Sequence, residues 1–134
     1  MQDRPNPEEL LEAVAAFLRD HVVSGPASTP EAFHARVAAN ALDIARRQMT
    51  LAPGMLEREH AALVKLLDAA PDRDVAQLNR MLCERIAHGV MDLGRDGLAD
   101  CLWQITLDKL AVDQPSYETY VRVQRDAHPD DKDR

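Results

Sequence analysis

The apolar residues of this chain return every three or four positions and nowhere alternate with polar ones over a useful length. A recurrence near 3.6 lines one face of a helix, whereas a half-buried strand needs a period of two. The pattern predicts an all-α fold, an up-and-down bundle of about five helices with short connections between antiparallel neighbours.

Helix punctuation supports this reading. Asn6 is an N-cap with Pro7 at the first helical position and Glu8 and Glu9 in the first turn. Leu10, Val14, Phe17, Leu18 and His21 share a face, and the segment stops before Gly25-Pro26. Thr29-Pro30-Glu31 repeats the same start. A second helix is predicted from there to about Leu51, ending at Pro53-Gly54, with Phe33, Val37, Ala41, Ile44 and Gln48 as its stripe and Ala38, Leu42, Ala45 and Met49 widening it. A third runs from about Met55 to Ala69 with Leu56, Leu63, Leu66 and Leu67 inward, a fourth from about Asp74 to His88, and a fifth from about Arg95 to Val112. One or two further turns are expected over Ser116–Arg125, where Tyr117 and Tyr120 close the end of the bundle. At 134 residues the chain is expected to form one domain over 1–126, with a charged, frayed tail over 127–134.

Composition narrows the function classes. A net charge of −7 argues against a nucleic-acid footprint and against an anionic membrane surface. No apolar run is long enough to span a bilayer, and Met1–Pro7 is too polar for a signal peptide. Cys83 and Cys101 have neither a disulfide nor a metal spacing, which suggests free thiols packed as small hydrophobes in a reducing cytoplasm. With aromatics at 4%, the core has to be aliphatic.

No catalytic constellation can be assembled, so no enzyme activity and no cofactor are expected. Glu57 and His60 make a single Glu-x-x-His pair, where a di-metal bundle needs two, and no metal is expected. The informative residues are polar ones that interrupt apolar faces. Asn79 falls among Val75, Leu82, Cys83 and Ile86; Lys109 falls among Leu98, Leu102, Ile105 and Val112, with Asp113 at ion-pair spacing. If Lys109 is buried, Asp113 or another acceptor must reach it. His21 reads as a core or boundary histidine. Arg36, Asn40, Asp43 and Arg47 form a polar ridge beside Phe33. Its alternatives are an exposed ion-pair ladder, a protein-contact face, or an anion site built on the two arginines. Arg36, Asn40, Arg47, Asn79, Lys109 and Asp113 are thus the candidates for partner contact or a structural polar network. Trp103, Leu107 and Leu110 make a second apolar side on the fifth helix, which calls for a central position or a covering partner.

Several stretches resemble a family of small bacterial proteins, a domain of unknown function (DUF6285). They are Met1–Pro5 with Glu9–Val14, Phe33–Leu42, Leu78-Asn79 with Leu82-Cys83, and Asp108–Asp113 with Pro115, Tyr117 and Tyr120. The resemblance covers nearly the whole chain. It implies a companion of aminoglycoside-phosphotransferase-like kinases, fused or as a separate small subunit, in hydroxyacyl-CoA catabolism. One branch resembles the small subunit of a 4-hydroxyacyl-CoA kinase. Because the residues of phosphoryl transfer are absent here, the expectation is a non-catalytic accessory subunit in the cytoplasm. The alternatives are a binding module for an acyl-CoA or other acidic metabolite, motivated by Arg36, Arg47 and Lys109, or a self-associating structural protein that forms a homodimer.

Overall fold

The computed structural model describes residues 6–23 and 29–127. These form α1 (Pro7–Phe17), a π-helical turn (Leu18–Val22), α2 (Pro30–Leu67), α3 (Val75–Ala87), α4 (Leu98–Asp113) and α5 (Glu118–Ala127), with no strand among them. The all-α expectation holds. The expected first-helix stop at Gly25-Pro26, the polar Met1–Pro5 opening and the tail beyond Ala127 lie outside the described residues.

Capping chemistry accounts for most helix starts. Asn6 Oδ1 accepts from the Glu9 amide at 2.9 Å while Glu9 Oε2 accepts from the Asn6 amide at 2.8 Å, a reciprocal capping box. Asp74 and Gln77 form the same box for α3. Thr29 Oγ1 accepts from the Ala32 amide at 3.2 Å. α4 begins three residues later than expected, after Gly97, whose φ of 82° lies in the left-handed region.

The expected break at Pro53-Gly54 does not occur, and the predicted second and third helices are the single α2. An interior proline forfeits one amide bond and crowds the carbonyl four residues back. Ending the helix there would orphan several carbonyls on one side and several amides on the other. No Ser, Thr, Asp or Asn stands just before Met55 to cap a new start, in contrast to Asn6, Thr29 and Asp74. The proline is the smaller cost. The predicted final turns are a helix in their own right, α5, so the count still comes to five.

The chain divides into two compact units, 1–52 and 53–134, whose boundary falls within α2 at Ala52-Pro53. In the first unit, Arg46 pairs with Glu8 at 3.4 Å and Arg19 pairs with Asp43, tying α1 and the π turn to α2. Its buried residues are small: Ala15, Ala32, Ala35 and Ala39. The stripe predicted to face inward is exposed instead, with Phe33 at 56%, Val37 at 52% and Ile44 at 38%. The same inversion holds on α1, where Leu10, Val14 and Phe17 are exposed and His21 stacks on Phe17 at the surface, ring centroids 5.0 Å apart.

The second unit has a conventional core. Leu63, Leu66 and Leu67 of α2 pack with Leu78 and Leu82 of α3, Leu98 and Cys101 of α4, and Met91 from the α3–α4 connection. Leu56, expected inward, is half exposed because it lies beyond this cluster. Cys83, expected to be packed, is exposed. The last carbonyls of α2 accept from arginines: Leu67 from Arg85 at 2.9 Å and Leu66 from Arg95 at 3.4 Å. Cations there also complement the helix dipole.

Two stability changes of opposite sign are expected. Leu63 is fully buried, so Leu63→Ala should destabilise the protein by about 2–5 kcal/mol in urea titration. Pro53→Ala restores an interior amide to α2 and should stabilise it by up to about 3 kcal/mol in the same titration.

Candidate interaction surface

The six polar candidates divide between the two units. Arg36 and Arg47 are half-buried and Asn40 is exposed on the first-unit part of α2; neither arginine is without a partner in the chain. Asn79, Lys109 and Asp113 belong to the second unit. Asn79 is half-buried and donates to Glu59 Oε1 at 2.6 Å, a bond internal to that unit. Lys109 and Asp113 are both exposed, and no ion pair joins them among the described residues. The possible burial of Lys109 among Leu98, Leu102, Ile105 and Val112 is therefore not realised. The buried arc of α4 runs through Leu98, Cys101 and Val112, with Asp108 and Ile105 partly covered, and its centre lies about 60° from Lys109 on the helical wheel.

Sequence reasoning overlooked two features. Glu59, the partner of Asn79, lies within about 40° of both Leu63 and Leu66 on the helical wheel, so an acid on a leucine face was there to be noticed. Asp108 accepts from Arg58 Nη2 at 3.3 Å and from Gln104 Nε2 at 2.9 Å, linking α2 to α4 at the edge of the core. His60 bonds through Nε2 to the carbonyl of Arg73 at 2.9 Å, which gives that member of the Glu-x-x-His pair a structural role.

A pocket of about 570 Å³ opens in the second unit, lined by Lys65, Arg95, Asp96, Asp100, Cys101 and neighbours. Two cations are offset by two acids, and Arg36, Arg47 and Lys109 do not line it. Burial, and then the negative charge of Glu59, push the Cys101 thiol above its ordinary pKa. The thiol is held in its unreactive protonated form.

The larger feature is apolar. On α2, Phe33, Val37, Ile44 and Leu51 follow one another at spacings of four, seven and seven. At about 100° per residue they fall within an arc of about 40°, along some 27 Å of helix. All four are exposed, and the arc is centred about 140° from the buried Ala32–Ala35–Ala39 seam. Leu10, Val14 and Phe17 make a second exposed stripe on α1, about 130° from the buried Ala15. On α4 the expected second apolar side is present in part, with Trp103 half exposed and Leu107 and Leu110 partly covered.

Residues 26–117 match the sequence profile of a domain of unknown function, DUF6285. The chain belongs to this family. The stretch that defines DUF6285 membership holds the whole of α2, α3 and α4, and so contains both the exposed α2 stripe and the leucine core. No curated protein and no solved structure matches the chain. Among the described residues of this DUF6285 chain, no helix is long and apolar enough to cross a membrane.

The raised Cys101 pKa makes stability fall with alkaline pH. The unfolded thiol ionises near its ordinary value while the folded one keeps its proton, so in that window the native state binds more protons. Stability is full below the unfolded thiol's pKa and is lost as pH climbs toward the folded value. In a Cys83→Ser background, Glu59→Gln should lower the Cys101 pKa followed by thiolate absorbance, and Cys101→Ala should flatten this part of the pH–stability profile.

Proposed function

We propose that this DUF6285 chain is a non-catalytic accessory subunit that binds and supports a phosphotransferase-like kinase of hydroxyacyl-CoA catabolism. The observation that carries the protein-binding part is the inside-out first unit. There the ion pairs Arg19–Asp43 and Arg46–Glu8 accompany burial of an alanine seam, while large apolar side chains of α1 and α2 face outward. Solvated ion pairs contribute about 0–1 kcal/mol each. Fully covering a Val, Leu, Ile or Phe side chain contributes about 1.5–3 kcal/mol. An isolated chain optimised for its own stability would turn the large residues inward. Leaving a run of them outside is what a surface completed by another protein requires. The choice of a kinase as that protein rests on the resemblance described above.

The acyl-CoA alternative gains little from this geometry. Lys109 stands on an exposed face of α4, and the pocket of the second unit is lined by none of Lys109, Arg36 and Arg47.

Co-expression with the phosphotransferase-like kinase of the native host tests the reading. The two should purify together in equal amounts, and the kinase purified without this subunit should lose most of its activity. Separate elution with full kinase activity would refute it.

A further inference from the structure

We propose that residues 50–54 of α2 form a conformational joint, where the helix opens locally while the helical segments on either side keep their hydrogen bonds. The first ground is missing support. Between Ala39 and Leu63 no residue of α2 is buried. A helix in a folded protein draws most of its stability from packing one face, so this stretch is held chiefly by its own backbone bonds. Segments of that kind open at a lower free energy than the packed cores beside them.

The second ground is that those bonds are weakest at one place. Pro53 has no amide to give the carbonyl of Met49, and its ring crowds that carbonyl. Proline is a standard cause of a sharp bend within a helix. Thr50 Oγ1 donates to the carbonyl of Arg46 at 3.0 Å, a back-bond to the preceding turn that also favours bending. Gly54 adds chain entropy that helix formation must overcome. The three residues lie within about one and a half turns.

The third ground is that nothing in the packing calls for this sequence. A Cβ on Gly54 would meet only the tip of the Arg58 side chain, at 3.6 Å, an ordinary contact, and the glycine does not have a positive φ. Thr50, Pro53 and Gly54 are all exposed. Alanine at 53 and 54 would give a firmer helix with no loss of buried contact. A destabilising pair on an uncovered stretch, with no packing gain in return, is the sequence of a joint. The boundary between the chain's two compact units falls at the same point, Ala52-Pro53, so opening there leaves the contacts within each unit in place.

Amide hydrogen exchange of the full chain, resolved to single residues by NMR and corrected for intrinsic rates, tests the joint. By the helical pattern, the amides of Gly54, Met55, Leu56 and Glu57 bond across it to carbonyls 50–53. They should exchange at least tenfold faster than the amides of residues 35–39 and of residues 63–67. Their rates should respond weakly to low urea, because a local opening exposes little new surface, whereas amides 63–67 should respond steeply. Pro53→Ala should slow exchange at residues 54–57 at least tenfold, and Gly54→Ala should slow it at residues 55–57 about fivefold. Exchange at 54–57 as slow as in both flanks would overturn the proposal. So would a urea dependence as steep as at 63–67, or rates unchanged in Pro53→Ala.

Discussion

The ridge of Leu63, Leu66 and Leu67 at the C-terminal end of α2 holds the second unit together. Leu78 and Leu82 of α3 and Leu98 of α4 pack on it, and Met91 fills in from the α3–α4 connection. Each of these burials is worth about 1.5–3 kcal/mol. The polar bonds around the ridge depend on it for their position. Arg85 and Arg95 reach the carbonyls of Leu67 and Leu66, Asn79 meets Glu59, and Asp108 gathers Arg58 and Gln104. Glu59 in turn helps keep the Cys101 thiol protonated, so this thiol reports on the core.

The other end of α2 is built on the opposite principle. Where leucines are buried after Pro53, alanines are buried before it, and the large side chains of that half turn outward. One continuous helix thus carries a self-sufficient hydrophobic contact at one end and an unsatisfied one at the other. The first unit leaves large apolar side chains exposed, and the second buries its own.

Much of the secondary structure was legible because capping is local chemistry. Asn6 and Thr29 announced their helices through the residues that follow them. Pro53 misled because its local cost was visible while the cost of the alternative, a break with no capping residue on its far side, needed the whole helix to be weighed. The apolar stripes were legible as stripes, but a helical wheel cannot say which of two apolar sides is buried. Phe33, Val37 and Ile44 were read as core when the alanine seam holds that place, because the ion pairs that tie α1 over the seam join residues 24 and 38 apart in sequence. Met91 gave no signal, since it is a core residue outside any periodic segment. Asn79 was identified as an informative polar interruption, and only its partner, Glu59, awaited the structure.

The central claim is that the large apolar side chains of α2 before Pro53 are presented to a partner and form no part of the chain's own core. Thermal unfolding of the isolated full chain carrying Phe33→Gln, Val37→Gln and Ile44→Gln together tests it most directly. Exposed positions each change stability by no more than about 0.5 kcal/mol, so the midpoint should stay within a few degrees of the parent. Loss of cooperative unfolding, or the multi-kilocalorie drop that polar substitution in a packed core produces, would contradict the account.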